Sequence, residues 1–277
     1  MKMLTSAAAL SCVALASLAH AQDGPPPGWV GPAPGWSGGV LMGAAAAPEF
    51  EGSRHTRVQP VLGGEVYYRP GAGASVAMGS RGLVWTPRQT TAGSASLGLS
   101  VDPGRVDDDE RKLTPVGRRP GSADLRGMGE VKMTALVSAS GSLALGPVSL
   151  TGAVRQAVSS HRGTLVEAGL ALPWQLHRHA KLTITPGVTW ADRKHTQAYF
   201  GVTPRQSAAS GFAVFDAGAG LKSQQVVFDF DMAFSRHWHL NALLRVQRLA
   251  GDAADSPIIQ RTRQASGMLA LRYEFQL

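Results

Sequence analysis

The sequence predicts an all-β fold, a transmembrane antiparallel up-and-down β-barrel of about 12 strands, with roughly 10–14 compatible with the pattern. Three observations carry this expectation. Apolar and polar residues alternate with period two in many segments, aromatic residues gather near the segment ends, and an export signal opens the chain. Successive side chains of a strand point to opposite faces, so such a segment offers one face to lipid and the other to water.

From the N-terminus, Lys2, an apolar run over residues 4–18 and the small-x-small stretch Ala19-His20-Ala21 read as a signal peptide over residues 1–21. Its apolar core is too short to span a bilayer as a helix. Residues 22–37, rich in Pro and Gly, read as an irregular periplasmic leader, and residues 38–277 as the barrel. Cys12 is the only cysteine, so the mature chain forms no disulfide and no thiolate metal site. No later stretch approaches the ~20 consecutive apolar residues of a spanning helix.

Alternation places strands at 38–48, 57–69, 72–85, 93–101, 128–141, 147–158, 164–175, 180–192, 212–222, 226–236, 238–249 and 264–277. The sharpest is Val226, Phe228, Phe230, Met232 and Phe234 against Asp229, Asp231 and Ser235. In the last strand Leu269, Leu271, Tyr273, Phe275 and Leu277 oppose Ala270, Arg272, Glu274 and Gln276. Trp85, Trp174, Trp190, Trp238, Tyr67, Tyr68 and Tyr273 fall near strand ends, where interfacial girdles need amphipathic rings. A trace through these strands does not bring the long connections 102–127, 193–211 and 250–263 to one side. Extra strands near residues 82–85 and 199–202 would restore the parity.

The net charge is +8. In an exported barrel this basic balance points to outer-membrane lipid, to lipopolysaccharide phosphates and to the peptidoglycan side, and away from nucleic acid. The run Asp107-Asp-Asp-Glu110 is followed by Arg111, Lys112, Arg118 and Arg119, and between Asp102 and Arg126 acids and bases balance at six each, as in a solvated loop. His177 with His179 and His237 with His239 fall in tight turns without the further ligands a metal needs. Ser159-Ser160-His161 lacks a placeable orienting acid. The sequence therefore assigns no catalytic residue, no cofactor and no metal site. Read inward, the strands set Glu130, Glu167, Asp229, Asp231 and Glu274 against Lys132, Arg155, Lys181, Arg245 and Arg272, which predicts a cross-linked polar lumen.

Short motifs add a resemblance. The stretch Ala47-Pro48-Glu49-Phe50-Glu51-Gly52-Ser53, the segments Arg57-Val-Gln-Pro60 and Leu125-Arg-Gly-Met-Gly129, then Tyr199-Phe-Gly-Val202, Ser210-Gly211, His237-Trp238 and the run Gly251-Asp252-Ala-Ala-Asp255-Ser256-Pro257-Ile258 resemble, in order, those of the MltA-interacting protein family (MipA/OmpV outer-membrane proteins). Phe50 stands where that family usually has Tyr, and Gln276-Leu277 follow Phe275 where it usually ends on an aromatic residue. The resemblance implies a non-enzymatic barrel of the cell outer membrane. It also implies a scaffold joining a lytic transglycosylase to a peptidoglycan synthase, with a narrow channel or uptake barrel as the alternative.

Overall fold

The computed structural model describes residues 34–276 apart from 72, 80, 81, 108–112, 115, 116, 119, 120, 160 and 161. The expected signal peptide, residues 22–33 of the leader, the acidic-basic stretch 108–112, Arg119, Ser160, His161 and Leu277 lie outside the described residues.

Twelve antiparallel strands close a barrel in which each strand pairs with its sequence neighbours. They are β1 (Gly35–Pro48), β2 (Thr56–Gly71), β3 (Ala74–Gly79), β4 (Gly82–Thr90), β5 (Gly93–Asp102) and β6 (Thr134–Leu145). The second half comprises β7 (Val148–Ala157), β8 (Thr164–His177), β9 (Ala180–Ala191), β10 (Gly220–Ala233), β11 (Trp238–Leu249) and β12 (Arg263–Gln276). The seam joins β1 to β12, from Ser37 opposite Gln276 to Ala46 opposite Gly267. Closure leaves no sheet edge in lipid, where an unpaired backbone group has no water to bond.

The expected inside-outside register is the observed one. Val137, Leu150, Val154, Trp174, Val188, Leu244, Leu269 and Leu271 point outward, whereas Ser149, Arg155, Thr183, Thr185, Gln225, Arg245 and Ala270 are buried inside. The aromatic pairs Trp36–Tyr68 and Trp238–Tyr273, with centroids 4.7 and 5.1 Å apart, mark the end that carries both termini. Tyr67, expected in that girdle, faces the lumen instead, and its hydroxyl donates to Glu65.

The strand count of twelve is met through two compensating differences. The expected strand 72–85 is the hairpin β3–β4, because the chain reverses between Gly79 and Gly82. The expected strands 212–222 and 226–236 are one strand, β10, while Phe212 and Phe215 leave the wall to pack above it. The two changes restore the parity. Connections 49–55, 103–133, 158–163, 192–219 and 250–262 all lie at the end opposite the termini, and short turns join the strands at the other. Short periplasmic turns and long outer loops orient the barrel.

Strand ends differ as well. Gly35, Trp36 and Ser37, assigned by sequence to the leader, already pair with Arg69, Tyr68 and Tyr67. The strand expected from 128 starts at Thr134, since Gly127 and Gly129 take φ of 85° and 73° and interrupt the extended backbone. Tyr199 and Phe200 are not strand but the end of helix α1 (Arg193–Phe200), and Val202 makes only an isolated bridge with Phe215; α2 (Pro204–Ser210) and, in the last outer loop, α3 (Gly251–Asp255) follow. The hairpin β3–β4 is short, and β3 covers β2 only from Glu65 to Gly71. Pro60, which has no N–H to donate, sits in the part of β2 that among the described strands pairs with β1 alone.

Candidate functional site

The outer loops meet over the barrel mouth. Phe50 from the first loop, Leu125 and Met128 from 103–133, Val202 from 192–219 and Ile258 from 250–262 form one buried cluster, with Phe212, Phe215 and Ile259 against it. These loops rise from opposite sides of the barrel, so their contact requires them to cross the mouth. A second cluster, Phe200, Leu249 and Ala253, seats α1 and α3 on the end of β11. Polar bonds knit the cap. Gln206 Nε2 donates to the Met128 carbonyl at 2.6 Å and Gln260 Nε2 to Asp124 at 2.8 Å.

The motif residues hold this cap. Gly52 takes a φ of +102°, and its carbonyl accepts from the backbone of Gln260 and Arg261 at 2.9 and 3.0 Å. A Cβ at Gly52 would lie 2.1 Å from Ile259 Cδ1, so the first motif stretch packs against the residue that follows the last. Glu49 pairs with Arg57 at 3.0 Å, and Ser53 Oγ accepts from the His55 N–H at 3.0 Å. Pro48 closes β1, Asp252 accepts from the Gly218 N–H at 2.6 Å, and the Ser256 hydroxyl donates to the Phe200 carbonyl. Gly251 opens α3, Asp255 ends it exposed to solvent, and Pro257 follows.

Beneath the cap lies a polar cage that sequence reasoning missed. Tyr199 from α1 donates its hydroxyl to Asp102 at 2.6 Å, and the Arg162 guanidinium lies over the Tyr199 ring, 5.1 Å from its centroid. Arg162 also reaches Asp102 at 3.7 Å, and Arg105 Nη1 donates to the Tyr199 carbonyl at 2.7 Å. The His195 ring stacks on Tyr199 at 4.7 Å. Lys222 pairs with both Glu51 oxygens at 2.9 and 3.0 Å, and Gln247 donates to the same carboxylate at 3.2 Å. Burial holds the His195 imidazole neutral, well below its ordinary range, with Lys222 and Arg162 adding to the effect. Burial first, and Asp102 second, raises the Tyr199 phenol. The Arg105 guanidinium falls to about 10, chiefly by desolvation.

Lower in the lumen, Arg155 makes a two-pronged bond to Glu167 at 2.6 and 3.0 Å, and Arg245 lies within Coulombic reach of Glu167 and Glu51. Near the periplasmic end, Arg272 contacts Glu274 at 2.6 Å and Asp231 at 3.8 Å, while His239 sits between the same two carboxylates at 3.5 and 3.3 Å. Lys181 stands opposite Asp231 in the β9–β10 register and within reach of Asp229. Acids and bases thus occur together at both levels, Arg105, Arg162 and Lys222 with Asp102 and Glu51 under the cap, and Lys181 and Arg272 with Asp229, Asp231 and Glu274 near the periplasmic turns. Glu130 and Lys132, expected on the lumen face of β6, precede it. They lie exposed in the chain leading into β6, because the strand starts after them, although the Lys132 carbonyl accepts from Arg162.

The turn histidines His177 and His179 have ring centroids 5.9 Å apart, and among the described residues no group of three or more His, Cys, Asp or Glu could hold a metal ion. Two-residue spacing signalled the strand-borne lumen pairs. The cage joins residues of four outer loops and strand ends, and of these only Glu51 and Tyr199 fall within the motif stretches.

A closed twelve-stranded wall, apolar outside and charged inside, with short turns at one end and capping loops at the other, defines an outer-membrane β-barrel. The family model described as MltA-interacting protein MipA matches residues 40–275, and the chain belongs to that family. No curated protein matches the chain in sequence. Among solved structures it is similar to an outer-membrane channel from Pseudomonas putida F1, at 11% identity and a TM-score of 0.47, over 91% of this chain and 100% of that one. It is similar too to OmpT, an outer membrane protein of Vibrio cholerae, at 7% identity and a TM-score of 0.34, over 87% and 96%. OprB of Pseudomonas putida aligns at 12% identity and a TM-score of 0.37, over 78% and 59%. At these scores the likenesses add nothing to the topology already described.

Proposed function

We propose that this barrel is a non-enzymatic scaffold of the outer membrane, holding peptidoglycan enzymes against its periplasmic face. The observation that carries the reading is the cap: loops from opposite sides bury Phe50, Leu125, Met128, Val202 and Ile258 over the mouth, which suits a structural barrel better than an open pore. The family description, an MltA-interacting protein, supports a lytic transglycosylase as one partner; the motif resemblance implies a peptidoglycan synthase as the other. The docking face is the periplasmic rim. The turns around 176–180 and 234–238 lie side by side there, joined by the Ala233 N–H bonding to the His179 carbonyl at 2.9 Å. They expose Leu176 and Phe234 beside Arg178 and Arg236. Lipid and lipopolysaccharide surround the wall.

A narrow uptake barrel is the second reading, favoured by the charged chamber beneath the cap, where among the described residues Arg162 Nε and Nη1 are buried without a hydrogen-bond partner. One experiment separates the two. Detergent-solubilised protein is used to recover murein enzymes from envelope extracts, and the same preparation is placed in planar bilayers. Enzyme recovery that is lost on replacing Arg178 and Arg236, with no large steady conductance, supports the scaffold. Stable single-channel steps selective for one ion sign, with no enzyme recovered, overturn it.

A further inference from the structure

The outward face of the β11–β12 ribbon is a ladder with three zones. Trp238 stands opposite Tyr273 at the periplasmic end, followed by Leu240 opposite Leu271, Ala242 opposite Leu269, Leu244 opposite Gly267 and Val246 opposite Ala265. The last rung is Arg248 opposite Arg263, and both arginines are exposed. The rung from Leu249 to Thr262 is hydrogen-bonded at 2.8 Å, so the arginine rung is the non-bonded kind, in which side chains approach more closely. Like charges directly opposite on one face repel. Among the described residues neither guanidinium has a carboxylate within ion-pair distance.

Height fixes where this rung lies. Trp238 and Arg248 are ten residues apart in β11, and Tyr273 and Arg263 ten apart in β12. That is about 33 Å along the strands, or about 25 Å along the axis at the usual tilt, the height of the apolar belt of such barrels. With the aromatic pair at the periplasmic interface, the arginine pair emerges at the headgroup level of the outer leaflet. An anion placed between the two guanidiniums would turn their repulsion into a shared, charge-assisted contact. The phosphorylated lipid of the outer leaflet is lipopolysaccharide, whose lipid A phosphates lie at that level.

We infer that Arg248 and Arg263 form a lipid A phosphate site on the lipid-facing wall, a site independent of the cap and of the scaffold reading. The test uses the purified full barrel in phosphate-free zwitterionic detergent. It is titrated with bisphosphorylated lipid A, dephosphorylated lipid A or phosphatidylglycerol, and followed by native mass spectrometry and by the midpoint of heat-modifiable gel migration. The wild-type barrel retains bisphosphorylated lipid A at least tenfold better than either other lipid, and its midpoint rises on binding. Combining Arg248→Gln with Arg263→Gln removes the preference and the rise. Replacing both with Lys keeps part of each, and Arg205→Gln on the cap changes neither. Without lipid the double Gln variant melts at or above the wild-type midpoint, because repulsion has been removed. Equal retention by the double Gln variant, equal binding of dephosphorylated lipid A or of phosphatidylglycerol, or a lower lipid-free midpoint would each overturn the assignment.

Discussion

Arg155 on β7 and Glu167 on β8 share a bidentate ion pair at 2.6 and 3.0 Å, with side chains only 6% and 13% exposed. A guanidinium matches a carboxylate in this geometry, and both have left bulk water to do so. Removing one partner strands the other, so Glu167→Ala should cost about 3–5 kcal/mol. Glu167→Gln, which keeps one acceptor, should cost less. Urea unfolding of the barrel in lipid vesicles checks both.

The register makes neighbouring residues respond differently. Phe230→Arg should cost about 2–4 kcal/mol by placing a charge in lipid near mid-depth. Asp231 bonds Asn241, His239 and Arg272, but its side chain is 37% exposed to the wet lumen. Asp231→Ala should therefore cost only about 0–1 kcal/mol. The reverse order in vesicle insertion would mean that β10 faces the other way.

Phe50 is 4% exposed at the centre of the cap. Phe50→Ala should remove about 3–5 kcal/mol of packing from the cap alone, leaving the wall intact. Limited proteolysis should then cut within 192–219, and planar bilayers should show current that the native barrel lacks. An unchanged cleavage pattern would mean that the cluster does not hold the loops.

The cap should loosen in acid through His195. Its folded imidazole is held below the ordinary histidine range, so the opened loop binds the proton more readily. A group with a depressed pKa contributes stability that is complete above the unfolded value, near 6.5 for histidine, and is lost as pH falls below it. Amide exchange in α1 should accelerate as pH is lowered from 7 to 5, after correction for intrinsic rates. His195→Gln should flatten that dependence. An identical acceleration in the variant would assign the effect to other groups.

The residues by themselves determined the barrel. Period-two alternation over about ten residues fixes which face meets lipid, and Phe228 and Phe230 against Asp229 and Asp231 specify that register without any distant contact. Some signals were legible but unused. Thr203-Pro204-Arg205-Gln206 is a capping box with Pro at the first helical position, and it starts α2 inside a stretch assigned to loop and strand. Only the tertiary structure decided how the outer loops meet. Glu51 finds Lys222 171 positions away, and Tyr199 finds Asp102 97 positions away, because barrel closure brings the ends of remote strands onto one rim. The same pairing left Glu130 and Lys132 outside the wall, because their alternation continues that of β6 but falls before its first pair with β5, at Thr134 and Asp102. Alternation reports which side of a strand a residue occupies. Where the strand starts, and what stands across the lumen, depends on pairing partners that no local stretch of sequence encodes.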